Sequence, residues 1–255
     1  PILRQNKDLA EGVWIFGERL GMSMDDSAWT LFTYCHDNQP EVDCYYVLSP
    51  DYDETFPQKY QESILLKGSK ELTHHLQRAS HLLFTDSAED CLESIVDVSS
   101  YPNIRFVYLT HGYLGYSPGV YQRDHQYIDQ VICTSDADIL AATKEWKFPA
   151  SKFLKVGLPR WDRLNDKSKA TDCREIVFCP TWRKSFESSS WYSSQETDEQ
   201  LLTEFRDSDY FKAINEVLSS EKLIALLEQR SITITLRLHF RLIPYLSAFE
   251  SISNE

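Results

Sequence analysis

Seven short apolar runs, rich in β-branched and aromatic residues, punctuate the first two thirds of the chain: "GVWIF" (12–16), "CYYVL" (44–48), "SILL" (63–66), "HLLFT" (81–85), "IRFVYL" (104–109), "QVICT" (130–134) and "KFLKV" (152–156). Segments of helical periodicity lie between most of them. Residues 69–80 open with Ser69, and residues 136–146 open with Asp136, which suits the N-cap of a helix. Alternating strand and helix patterns predict an α/β fold built on an open, mostly parallel sheet.

The polar stretch "KSKATDCRE", Lys167 to Glu175, lacks apolar periodicity and reads as a linker. It divides the chain into an N-terminal Rossmann-like domain, 1–166, and a second unit, 167–255. The second unit is expected to run from a strand at 176–179 through a serine-rich stretch (188–194) to a helix over 209–229. A strand at 232–238 and a short helix in "LIPYLSAFES" follow. A complete doubly wound domain usually needs roughly 100 to 150 residues, so the second domain is expected to be incomplete.

Composition excludes several function classes. The net charge is −13, from 39 acidic and 26 basic residues. With no basic stripe to neutralise phosphates, a general nucleic-acid binder is not expected, and any anion site must be local. The six cysteines have no CxxC spacing and lie mostly in apolar runs, as free thiols in a reducing, cytosolic setting do. No signal peptide and no window approaching about 20 apolar residues is present, which argues against an integral helix but not against peripheral contact.

In open α/β sheets, ligands bind outside the carboxyl ends of the strands. After "IRFVYLT" comes His111-Gly112, in a loop whose Gly112, Gly115 and Gly119 permit tight turns. After "KFLKV" comes "GLPRWD" with Arg160 and Asp162. After "VFC" come Pro180, Thr181, Trp182 and Arg183, and after "ITITLRL" comes His239. Histidine is suited to proton transfer near neutral pH, and arginine to bidentate phosphate recognition. Asp162 can orient Arg160 or cap the next turn, while Trp161 and Trp182 read as packing anchors. Each histidine has a plainer reading as a structural strand-end residue. "KGSKE" (67–71) lacks the order of a phosphate-binding loop, and His74, His75 and His81 lack helical metal-pair spacing. No metal site or resident cofactor is indicated, and neither GxSxG nor GxGxxG occurs.

The stretches "THGYLGYSPG", "VGLPRWDRL" and "FCPTWR", in this order, resemble the motif series of the CDP-glycerol glycerophosphotransferase family, which builds teichoic acids and related polymers. "WIFGERLGMSMDDSAWTLFTYC" resembles its region where an acidic-polar pair precedes an aromatic-rich helix, and "LLKGSKELTHHLQRASHLLFTD" fits the segment after it. The resemblance spans roughly residues 12–240. It implies a GT-B-like arrangement of two Rossmann-like domains. In that scheme His111 deprotonates an acceptor hydroxyl, which attacks the β-phosphorus of a CDP-linked polyol with CMP as leaving group. His239 stabilises pyrophosphate charge, while Gly112, Arg160, Asp162, Thr181 and Arg183 line the substrate site. Implied partners are a CDP-activated polyol such as CDP-glycerol and a lipid-linked polymer acceptor of wall or capsule. That acceptor implies peripheral contact with the inner face of a bacterial plasma membrane.

The chain departs from the pattern at Tyr116, where a lysine is usual, and at Phe240, where proline usually follows the second histidine. A later aspartate-tyrosine-serine-serine element has no counterpart before Glu255. Two other readings are a sugar-nucleotide glycosyltransferase of the same architecture and an abbreviated binding domain without catalysis.

Overall fold

The computed structural model describes residues 12–112, 126–166, 169, 174–186 and 199–252. Gly115, Tyr116, Gly119, Cys173 and the serine-rich stretch at 188–194 lie outside the described residues, as does part of the expected linker. The chain divides into two compact units, Pro1–Asn165 and Asp166–Glu255.

All seven apolar runs of the first unit form strands. They are β1 (Gly12–Gly17), β2 (Val42–Leu48), β3 (Ile64–Leu66), β4 (Ala79–Phe84), β5 (Arg105–Tyr108), β6 (Gln130–Cys133) and β7 (Phe153–Lys155). They pair in parallel in the order β3-β2-β1-β4-β5-β6-β7. Successive side chains of a strand point to opposite faces, and here both faces are buried, so the runs are apolar throughout rather than alternating. Val13, Ile15, Leu82 and Phe84 enter one core with Trp146, while Trp14, Phe16 and Leu83 enter the other with Trp29, Phe32 and Tyr46.

Three α-helices are described in this unit: α1 (Ser27–Asn38), α2 (Lys70–Leu76) and α3 (Asp136–Trp146). Trp29 anchors α1 by meeting Tyr46 and Tyr60 edge-on, with ring centroids 5.0 and 5.3 Å away. Ser69 caps α2, accepting from Leu72 N–H at 3.0 Å, and the helix ends at Leu76 rather than reaching residue 80, since β4 begins at Ala79. The cap of α3 is Ser135, one residue earlier than expected. Its hydroxyl accepts from Asp138 N–H, the Asp138 carboxylate accepts from Ser135 N–H, and Asp136 becomes the first helical residue.

In the second unit β8 (Glu175–Phe178) pairs in parallel with β9 (Thr233–Leu236). The single helix expected over 209–229 is two, α5 (Asp209–Leu218) and α6 (Glu221–Arg230), preceded by α4 (Glu199–Asp207). Ser219 and Ser220 make the break: the Ser219 hydroxyl donates to Asn215 O at 2.6 Å, a local bond that competes with continued helix. A 3-10 segment, Phe240–Ile252, completes the unit. Its core gathers Phe205, Phe211, Ile214, Leu242, Tyr245 and Phe249, with Phe205 stacked on Tyr245 at 4.4 Å.

Gly17, the last residue of β1, lies against the turn that follows β4. A Cβ there would sit 2.6 Å from Asp90 O and 2.7 Å from Cys91 Sγ, the former a backbone atom. Gly17→Ala is expected to destabilise the chain by about 1–3 kcal/mol through overpacking, measured by urea unfolding against the unvaried protein.

Candidate functional site

The order of the sheet reverses between β1 and β4, since β2 and β3 lie on one side of β1 and β4 to β7 on the other. A crevice at the carboxyl ends of such a pair is where open α/β sheets take ligands. The segment leaving β1 is unusual there. Arg19 (φ 46°), Leu20 (φ 59°) and Gly21 (φ 83°) are all left-handed, a conformation that costs non-glycine residues roughly 1–2 kcal/mol each.

Glu18 holds that segment from within. It is fully buried; Oε1 accepts from the backbone N–H groups of Asp25 (2.7 Å) and Asp26 (2.9 Å) and from the Ser23 hydroxyl (3.2 Å). Oε2 accepts from Trp29 N–H at 3.1 Å. Burial pushes the Glu18 carboxyl up to about 7, against the pull of those three backbone donors.

The Glu18 bonds fix the entry to α1, where Asp26 is the cap residue and is 2% exposed. Arg160 Nη1 meets both Asp26 oxygens, at 3.2 and 3.3 Å, and Arg19 Nη2 donates to Asp26 Oδ2 at 3.3 Å. One buried carboxylate thus orients two guanidinium groups, each about a third exposed at its side chain. The carboxylate on Arg160 is therefore Asp26. Asp162 lies exposed in the 3-10 turn Pro159–Arg163 and lines a groove of about 410 Å³ with Trp29, Tyr34, Lys59 and Arg163.

Arg160 also reaches the end of β5. Its Nη2 donates to the carbonyl oxygen of His111 at 2.9 Å. His111 follows Thr110, which is buried with φ 53°. The His111 Nδ1 lies 3.0 Å from Thr85 O and 3.1 Å from Asp86 Oδ1. A carbonyl can only accept, so Nδ1 carries the hydrogen and the lone pair of the neutral ring is on Nε2. With its side chain 47% exposed, this imidazole can take a proton from an approaching hydroxyl. Gly112 beside it is exposed, and a Cβ on it would meet nothing within 4 Å.

The second unit has its own strand-end cluster. Arg183 Nη1 donates to the carbonyls of Thr181 (2.8 Å) and Trp182 (3.3 Å), and its guanidinium lies 5.2 Å from the centre of the Tyr210 ring. The Arg241 guanidinium lies 4.1 Å from the centre of the Trp182 ring, and the His239 ring lies 5.8 Å from it. Arg241 N–H donates to His239 Nδ1 at 3.3 Å, so a neutral His239 carries its hydrogen on Nε2.

Of the residues expected at the site, His111, Gly112 and Arg160 gather at the sheet's switch point, and Thr181, Arg183 and His239 gather in the second unit. Glu18, Arg19, Asp26, Asp86 and Arg241 were not among the sequence candidates. The signals for the first four lie in "FGERLGMSMDD" after β1 and "FTDSAED" after β4, where charged residues directly follow apolar strands. Among the described residues no His/Cys/Asp/Glu group is arranged to hold a metal ion.

A family model described as CDP-Glycerol:Poly(glycerophosphate) glycerophosphotransferase matches residues 3–250. The minor teichoic acid biosynthesis protein GgaB of Bacillus subtilis (strain 168) is 23% identical over 239 residues, which is 88% of this chain and 25% of GgaB. Among solved structures, a variant of the wall teichoic acid polymerase TagF matches with a TM-score of 0.57 at 15% identity. It covers 96% of this chain and 60% of that one. A TagF variant soaked with CDPG matches with a TM-score of 0.55 at 15% identity, covering 98% and 62%. The TagF likeness confirms the α/β, GT-B-like fold class. The chain spans about a quarter of GgaB and about three fifths of the TagF chain.

Glu18 supplies a pH signature. Its carboxyl titrates near 4.5 when unperturbed and near 7 in the fold, so the folded chain binds this proton more tightly. Glu18's contribution to stability is fully present below about pH 4.5 and is lost as pH rises through 7. Urea unfolding of Glu18→Gln across that window is expected to show a flatter pH dependence than the unvaried chain.

Proposed function

The chain belongs to the CDP-glycerol:poly(glycerophosphate) glycerophosphotransferase family, and from that premise we propose that it transfers glycerol phosphate from CDP-glycerol to a hydroxyl of a teichoic-acid-like or capsular polymer. The acceptor oxygen forms a bond to the glycerol-bearing β-phosphorus. The bond from that phosphorus to the bridging oxygen breaks, and its electron pair leaves with CMP. The proton of the hydroxyl passes to His111 Nε2.

The observation that carries this reading is the setting of His111. Its Nδ1 is committed to Thr85 O and Asp86 Oδ1, so the base is on Nε2, and Arg160 is tied to the same residue's carbonyl. His239 suits the complementary task, because its Nδ1 accepts from Arg241 N–H and Nε2–H is a donor for an anionic oxygen. Arg183, held by two carbonyls, supplies positive charge for phosphate oxygens, with Thr181 alongside. GgaB and TagF are both teichoic acid proteins by name, and a TagF variant was soaked with CDPG, which supports the choice of donor. No helix among the described residues is long and apolar enough to cross a membrane; contact with a lipid-linked acceptor is proposed to be peripheral, at the inner membrane face.

The test is CMP release from CDP-glycerol in the presence of a glycerol phosphate primer, with CDP-ribitol and a UDP-sugar as comparisons. CDP-glycerol is expected to be consumed, and His111→Ala is expected to lower the rate by about 10²–10⁴-fold. Arg183→Ala is expected to weaken CDP-glycerol binding by roughly tenfold in calorimetry, the loss of one charge-assisted contact. Consumption of the UDP-sugar alone would overturn the reading in favour of a glycosyltransferase.

A further inference from the structure

Asp90 is wholly buried in the turn after β4 and has no part in the chemistry described above. Its two oxygens nevertheless receive donors from two separate loops. Oδ1 accepts from Leu20 N–H at 2.9 Å, in the left-handed segment after β1. Oδ2 accepts from Thr85 N–H (3.0 Å), Asp86 N–H (2.9 Å) and the Thr85 hydroxyl (3.4 Å), in the loop after β4. Thr85 and Asp86 are the two residues that hold His111 Nδ1, and Leu20 follows Arg19, which pairs with Asp26.

We infer that Asp90 is a positioning residue for the reacting histidine: it ties the loop after β1 to the loop after β4 and sets where Thr85 and Asp86 meet the His111 ring. The inference rests on the function proposed above for His111. Two neighbouring features serve the same junction. Gly17 leaves room for Asp90 O where a Cβ would lie at 2.6 Å. Lys67 Nζ donates to the carbonyls of Leu20 and Glu89, one on each loop. Burial, with repulsion from Asp86, pushes the Asp90 carboxyl up to about 6. A neutral apolar side chain would avoid that burial cost, but it would leave three backbone N–H groups without their acceptor.

Asp90→Asn keeps the size of the side chain and turns one accepting oxygen into a donor, so at least one loop loses its partner. In a folded variant, kcat for CMP release is expected to fall on the order of 10²-fold, the cost of displacing a reacting group by about 1 Å. KM for CDP-glycerol is expected to stay within about twofold, as for a loss confined to the transition state. The ring signals of His111 in the NMR spectrum are expected to shift as well. A folded Asp90→Asn chain with unchanged kcat and unchanged His111 ring signals would overturn the inference. Should the variant fail to fold, amide exchange in the unvaried chain decides: Leu20, Thr85 and Asp86 are expected to be protected, and exchange as fast as an open loop would overturn the assignment. If the unvaried chain transfers nothing, the proposed function fails, while the ring signals and amide exchange still decide the role of Asp90.

Discussion

A carboxylate without water must find donors, and at the end of β1 that requirement organises what surrounds it. Glu18 draws three backbone N–H groups and a hydroxyl onto one buried side chain, and the chain between Gly17 and α1 adopts the path that delivers them. That path includes two left-handed non-glycine residues, a strain the fold sustains because the alternative is a buried charge with too few partners. Asp26 is delivered by the same path, and with it Arg19 and Arg160. The positive groups at the sheet's switch point are thus oriented through a buried acidic frame.

The two histidines at strand ends are set in opposite senses by their neighbours. His111 has a carbonyl and a carboxylate at Nδ1, which leaves Nε2 as an acceptor of protons. His239 has a backbone N–H at Nδ1, which makes Nε2 a donor. One fits removal of a proton from a hydroxyl, and the other fits stabilisation of negative oxygen. Residue type alone does not distinguish them; the hydrogen bond at the other ring nitrogen does.

The seven strands of the first unit were legible because a parallel strand buried on both faces is apolar along its whole length, a pattern that survives without knowledge of its neighbours. The helix expected over 209–229 is two because the Ser219 hydroxyl bond breaks it, while apolar periodicity continues across Ser219 and Ser220 and carries no trace of the break. At the site, His111, Arg160, Arg183 and His239 follow apolar runs within a few residues and are of types suited to proton transfer or phosphate recognition, which makes them visible in the sequence. Glu18, Asp26, Asp86 and Asp90 stand after β1 and β4 in acidic, polar stretches that look like solvated loops. Glu18, Asp26 and Asp90 are buried nonetheless, because the strand order brings β4 beside β1, which local spacing does not reveal.

The most direct measurement is the tautomer of His111 in the unmodified chain, read from two-bond proton–nitrogen couplings of the imidazole at a pH where the ring is neutral. The account predicts hydrogen on Nδ1 and a lone pair on Nε2, as the bonds to Thr85 O and Asp86 Oδ1 require. Hydrogen on Nε2 instead would contradict it, because the ring would then have no base to offer an acceptor hydroxyl at that position.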